Sequence, residues 1–170
     1  MNMQVSGRVL VVDDEQAERE FLKEVLEKEG LDVREADDGE AALEHVAASR
    51  PDVVLLDIKM PGIDGYEVCR RLKADEQTRI IPVVMVTGFQ ELDSRVKALD
   101  CGVDDFLSKP VDRTELKSRV TSLLHVKAYF DQKRSYEQQL ETEVKRRTEE
   151  LHAAVVKANE LALDTVYRMS

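Results

Sequence analysis

Three short runs of consecutive apolar residues punctuate the first half of the chain: Val9–Val12, Val53–Leu56 and Val83–Val86. Each is rich in β-branched residues and bounded by polar or chain-breaking ones. Continuous runs of this kind suit strands buried on both faces of a parallel sheet. Asp32–Ala36 and Asp105–Leu107 are weaker strand candidates, and their mixed polarity suits sheet edges. Between the runs, apolar positions recur at helical spacing. They are Ala17, Phe21, Leu22, Val25 and Leu26; then Ala42, Val46 and Ala47; then Val68 and Leu72; and, more weakly, Val96 and Leu99. Strand and helix therefore alternate, which predicts a doubly wound α/β domain.

The three greasy runs are the first, third and fourth strands. With those inside and the other two at the edges, the five-stranded parallel sheet takes the order 2-1-3-4-5, the flavodoxin-like arrangement.

The pattern changes after Pro110. Asp112-Arg113-Thr114-Glu115 reads as a helix start, an Asp-led relative of the capping box. From there to Ser170 no Gly or Pro occurs, and a helix over Arg113–Ser170 would extend about 87 Å. Its first turns, with Leu116, Val120, Leu123 and Leu124, are expected to pack on the sheet. A 4-3 spacing then runs through Leu123, Val126, Phe130, Lys133, Glu137, Leu140, Val144, Arg147 and Leu151. Apolar positions shift afterwards to Val155, Ala162, Val166 and Met169, which suggests a stutter. A lone helix has no core and needs a partner. A homodimer through a parallel coil is the expectation; the alternative is a solvated linker helix, because Lys133, Glu137 and Arg147 interrupt the seam.

Charge sharpens this division. The chain carries 25 Lys and Arg against 35 Asp and Glu, a net charge of −10. Residues 1–125 hold 17 basic and 27 acidic residues, whereas residues 126–170 hold 8 of each. All 7 Gly and all 4 Pro precede residue 111. The expected organisation is a globular domain over 1–125 and a helical segment over 126–170. The acidic balance argues against direct nucleic-acid binding. No apolar run approaches the roughly eighteen residues that cross a membrane, and the N-terminus lacks a signal-peptide layout. Cys69 and Cys101 have no CxxC partner and read as reduced thiols of a cytoplasmic protein.

In an open α/β sheet the ligand crevice lies past the C-terminal ends of the strands. Strand one is followed there by Asp13, Asp14 and Glu15; strand three ends in Asp57; strand four ends in Thr87-Gly88; strand five leads to Lys109-Pro110. Crowded carboxylates raise one another's pKa values unless a cation joins them. An oxygen-only set with few protein ligands suits Mg²⁺. A carboxylate beside the metal is placed to attack phosphorus, while a Lys and a hydroxyl take the remaining oxygens. Gly88 leaves room beside that group.

Val11-Val12-Asp13-Asp14-Glu15, Leu55-Leu56-Asp57-Ile58-Lys59-Met60-Pro61-Gly62, Thr87-Gly88 and Asp105-Phe106-Leu107-Ser108-Lys109-Pro110 together resemble the response-regulator receiver domain over roughly residues 7–125. The resemblance implies Asp57 as phospho-acceptor, supplied by a cognate histidine kinase. It implies Asp14 as a direct Mg²⁺ ligand, Asp13 acting mostly through water, and the backbone carbonyl of Lys59 completing the metal site. Thr87 and Lys109 would bind the phosphoryl oxygens, Phe106 would be the aromatic switch residue, and the Lys109–Pro110 peptide would be cis. Lys59 and Phe89 flank such a site, and the bulk of Phe89 is expected to slow hydrolysis of the acyl phosphate. Met60 to Glu67 also matches, although it reads equally as a turn and a helix start with Asp64 as N-cap.

His45, His125 and His152 carry no kinase-like motif, Cys101 reads as structural, and Glu18, Glu20, Glu24 and Glu27 read as a solvated helix face. Haloacid-dehalogenase-type phosphatases carry a second acid two residues after the nucleophile. Lys59 stands there instead, so the chain itself is not expected to be an enzyme. The segment Leu163 to Ser170 resembles the approach to an HD-GYP-type cyclic-di-GMP phosphodiesterase domain, whose metal residues are absent from this chain. Glu143 to Leu151 also resembles coils that lead to kinases and diguanylate cyclases. An output module is therefore expected after Ser170. The alternatives are a constitutive receiver-like dimerisation scaffold, or a sensory fragment of a hybrid kinase or diguanylate cyclase.

Overall fold

The strands of this chain run parallel in one sheet, with helices packed on both of its faces. The computed structural model describes residues 6–88 and 99–169. Its elements are β1 (Arg8–Val12), α1 (Gln16–Glu27), β2 (Asp32–Ala36), α2 (Gly39–Ser49), β3 (Val53–Asp57), α3 (Gly65–Ala74), β4 (Val83–Gly88), β5 (Asp105–Lys109) and α4 (Arg113–Arg168). The five strands lie in the order β2-β1-β3-β4-β5, all parallel, as the hydrophobic pattern predicts.

Side-chain alternation divides the core into two layers. Val9, Val11, Val53, Leu55, Val84, Val86 and Leu107 point to one face, against Leu22, Val25 and Leu26 of α1 and Leu116, Val120 and Leu124 of α4. Leu10, Val12, Val54, Leu56, Val83 and Met85 point to the other, against Ala42 and Val46 of α2 and Val68, Cys69 and Leu72 of α3. The edge strands bury fewer residues, two of five in β2 and one of five in β5, which explains their weaker signal.

Side chains set the helix starts. The Asp38 carboxylate accepts from the Ala41 N–H and the Asp64 carboxylate from the Glu67 N–H, each satisfying a free donor of the first turn. Asp112 does the same for α4, accepting from the N–H groups of Thr114 and Glu115 at 2.9 Å. The reciprocal half of the expected capping box is replaced, since the Glu115 carboxylate pairs with Arg119.

Two expectations shift. Leu99 is 66% exposed, and Cys101, two residues on, is buried in its place as the chain turns through Gly102 at φ +80°. Ala47 is exposed, so α2 buries only Ala42 and Val46 of the predicted trio. Val96 and Phe89 lie outside the described residues.

By its internal packing the chain divides into two units, Met1–Ala128 and Tyr129–Ser170. The second is helical to Arg168 and exposes its apolar side chains. Among the described residues, no helix is long and apolar enough to cross a membrane.

Candidate functional site

Register places the site. Val12 pairs with Leu56, Asp57 with Val86, and Gly88 with Lys109, so the C-terminal ends of β1, β3, β4 and β5 finish at one edge. The residues that follow inherit that alignment. Asp13, Asp14 and Asp57 come together with carboxylate oxygens within 4.8 Å of one another. Asp13 and Asp57 are buried, at 1% and 6% exposure, while Asp14 faces solvent.

Lys109 joins the two buried acids. Its Nζ donates to Asp13 Oδ2 at 2.8 Å and lies 3.1 Å from Asp57 Oδ1. Burial disfavours the ammonium charge, but the hydrogen bond to Asp13 and the charges of Asp57 and Asp13 outweigh it. The Lys109 pKa is therefore raised, and the group stays cationic. One cation does not offset this cluster. Burial, with the Asp13 charge adding to it, lifts Asp57 to a pKa of about 6 despite the opposing pull of Lys109.

The chemistry of this donor set fits a divalent cation. Three hard oxygen donors converge, one of them open to solvent, and the single Lys109 cation leaves their charge in excess. Thr87 is buried at the end of β4 and donates from Oγ1 to the Gly88 carbonyl at 3.2 Å. Among the described residues, a Cβ built on Gly88 would meet nothing within 4 Å. The Lys109–Pro110 peptide is cis. Phe106 pairs with Met85 across the sheet and packs, partly buried, on the α2–α3 face of the core. Lys59 is exposed two residues beyond Asp57. The structure thus brings the side chains of Asp13, Asp14, Asp57 and Lys109 together directly, with Thr87 at the neighbouring strand end.

Two residues that the sequence pattern passes over also shape this edge. Gly65 opens α3 and donates its N–H to the Ile58 carbonyl at 2.9 Å. A Cβ there would lie 2.3 Å from the Asp57 carbonyl oxygen and 2.9 Å from Ile58 Cα, so only glycine lets the helix start sit against the end of β3. Its signal was a glycine at the first helical position directly after the Asp64 cap. The other is Arg19 of α1, whose Nη1 donates to the Asp13 carbonyl at 2.6 Å. In the sequence it is one charge among many on an amphipathic helix.

Comparison with known proteins supports the same reading. Residues 9–121 match the family model of the response regulator receiver domain. The chain is 44% identical over 133 residues to the response regulator PleD of Caulobacter vibrioides, covering 78% of this chain and 29% of that protein. It is 44% identical over 117 residues to the response regulator MprA of Mycolicibacterium vanbaalenii, covering 69% of this chain and 50% of that protein. It therefore spans half or less of these relatives. A putative response regulator from Chloroflexus aurantiacus superposes with a TM-score of 0.68 at 34% identity, covering 71% of this chain and 98% of that one. The signal receiver domain of a signal transduction histidine kinase from Syntrophus aciditrophicus gives 0.67 at 37% identity, covering 70% and 90%. With the family's strand order, its motif positions at one sheet edge and this similarity over most of the chain, the protein belongs to the response-regulator receiver family of two-component systems.

Proposed function

We propose that Asp57 accepts a phosphoryl group from the phosphohistidine of a cognate kinase. The observation that carries this reading is the buried Asp57 carboxylate, clustered with Asp13 and Asp14 and bridged to Asp13 by Lys109. An Asp57 oxygen attacks phosphorus, the P–N bond to the donor imidazole breaks, and its electron pair returns to the ring nitrogen. The product is an acyl phosphate on Asp57. Asp13, Asp14, Asp57 and the backbone carbonyl of Lys59 would hold Mg²⁺. Bound there, Mg²⁺ neutralises charge on the transferring group. Lys109 then exchanges its contact with Asp13 for a phosphoryl oxygen, and the Thr87 hydroxyl leaves the Gly88 carbonyl for another. Phe106, packed only partly, follows Thr87 inward and biases a two-state equilibrium along β5 and α4.

The domain boundaries we adopt are 1–125 for the receiver and 126–170 for a coiled-coil linker. The tail exposes Val126, Phe130, Leu140, Val144 and Leu151 at heptad spacing, which supports pairing with a second copy and relay to an output module. The protein is read as cytoplasmic, with no direct nucleic-acid contact and no catalytic output of its own within these residues.

Incubation with acetyl phosphate and Mg²⁺ tests the assignment. Wild-type protein should gain one phosphoryl group by mass, and both Asp57→Ala and chelation of the metal should abolish it. Mg²⁺-dependent binding of beryllofluoride separates this reading from a constitutive scaffold, which would bind none.

A further inference from the structure

The β1–α1 junction carries two of the three clustered carboxylates and holds them very differently. Asp13 is fixed on every side. Its N–H donates to the Ala36 carbonyl at 3.2 Å, and its carboxylate accepts from the Glu15 N–H and from Lys109 Nζ, each at 2.8 Å. Asp14 is exposed, and among the described residues nothing is hydrogen-bonded or ion-paired to its carboxylate. The aim of Asp14 therefore depends on the peptide that joins it to Asp13. A peptide unit is planar, so the direction of the Asp13 carbonyl fixes where the Asp14 Cα stands.

Arg19 grips that carbonyl. Its Nη1 lies 2.6 Å from the Asp13 oxygen, and its side chain is 15% exposed. The guanidinium is oriented in turn by Glu35 of β2, whose Oε1 lies 3.8 Å from Arg19 Nε. The other oxygen of Glu35 accepts from Lys23 Nζ at 2.7 Å. Glu35 faces Val11 across the β1–β2 ladder, so this anchor is built into the sheet. A planar fork that meets a carbonyl on one arm and a carboxylate beside another is what arginine offers and lysine does not.

We propose that Arg19 is a positioning residue of the metal site, holding the Asp13–Asp14 peptide so that the Asp14 carboxylate is aimed at the cation. This rests on the reading of the cluster as a Mg²⁺ site. A group that orients a metal ligand without touching the metal changes affinity roughly 10- to 100-fold when removed.

Calorimetric titration of Mg²⁺ into the metal-free 170-residue chain tests it, alongside thermal melts in chelator. Arg19→Ala should raise the Mg²⁺ dissociation constant roughly tenfold or more. Arg19→Lys should recover part of that loss, and Glu35→Gln should lose less than Arg19→Ala. In phosphorylation by acetyl phosphate, Arg19→Ala should need more Mg²⁺ for half-maximal rate yet reach the wild-type plateau at saturation. A role confined to stability would lower the melting temperature in chelator and leave these metal dependences unmoved. A folded Arg19→Ala protein with wild-type affinity overturns the proposal. If that variant does not fold, wild-type affinity in both Arg19→Lys and Glu35→Gln overturns it equally. Absence of Mg²⁺ binding by the wild type, or binding indifferent to Asp57→Asn, instead overturns the metal-site reading and this inference with it.

Discussion

From Val53 to Asp57 every residue of β3 is buried, whereas along the tail Leu140, Val144 and Leu151 are 46%, 63% and 68% exposed. Both segments are marked by their apolar residues, an unbroken run in β3 and a helical spacing in the tail. What differs is the source of their neighbours. β3 lies between β1 and β4, with helices covering both faces. Five ion pairs along the tail are local: Lys133–Glu137, Arg146–Glu143, Arg146–Glu150, Arg147–Glu143 and Arg168–Asp164, each three or four residues apart. Exposed pairs of this kind contribute about 0.3–0.5 kcal/mol each at best. Long-range packing fixes a side chain well enough to place a reacting group, and local pairing only favours a helix. The clustered carboxylates accordingly sit in the first unit, and the second leaves its apolar side chains exposed.

The largest expected effect on stability comes from adding one methyl where packing leaves no room. Gly65→Ala drives a Cβ into the Asp57 carbonyl, which is backbone and cannot swing away. The expected loss is about 3 kcal/mol of unfolding free energy in a urea titration. Ser135→Ala, on the exposed tail helix, should change it by less than about 0.5 kcal/mol. Equal effects at the two positions would erase the contrast between the units.

Next in size is a charge effect confined to the first unit. In chelator, Asp57 has a folded pKa of about 6 against an ordinary value of 3.8. The folded state therefore holds this proton more tightly than the unfolded chain, and wild-type stability falls as pH rises from the ordinary value to the folded one. Asp57→Asn mimics the protonated side chain. It should raise the melting temperature by roughly 4 °C at pH 8, and the gain should shrink toward zero as pH falls through 6 to 4. Mg²⁺ should narrow the gap at pH 8 by favouring the ionised carboxylate against burial and the Asp13 charge. A gain independent of pH would show that Asp57 is ionised across this range without cost.

Smaller still is the effect of the helix cap at the start of α4. Asp112→Ala removes the acceptor for two N–H groups at the start of α4 and should cost about 1 kcal/mol.

How much of this was legible in the sequence follows the same physics. The three interior strands announced themselves because burial on both faces demands unbroken apolar runs. Their ends carried Asp13, Asp14, Asp57 and Thr87, the edge strand β5 carried Lys109, and the parallel topology brought those ends to one edge. Asp64 and Asp112 act through hydrogen bonds within a few residues, which is why local sequence suffices to find such caps. Arg19 was not legible, and Gly65 left only the trace of a glycine after a cap, because each acts on backbone that only the tertiary fold brings alongside. Leu99 misled for a related reason. Helical spacing assigns a face only while the helix continues, and the chain turns at Cys101-Gly102.

The smallest effect on the first unit should come from the tail seam itself. Leu140→Ala with Val144→Ala truncates adjacent seam positions whose side chains touch no long-range core, so the melting of the first unit should stay within about 1 °C of wild type. Association should respond instead. Sedimentation of wild-type chain is expected to show a dimer at micromolar concentration, and the double variant should shift to monomer, because two apolar layers are lost from a seam already interrupted by Lys133, Glu137 and Arg147. The helical content of residues 129–168 should fall with it, since an isolated helix with only local pairs is marginal in water. If the wild type stays monomeric at high micromolar concentration, the exposed side chains serve some surface other than a second copy. If the double variant lowers the melting temperature of the first unit, the two units are coupled more tightly than their separate packing implies.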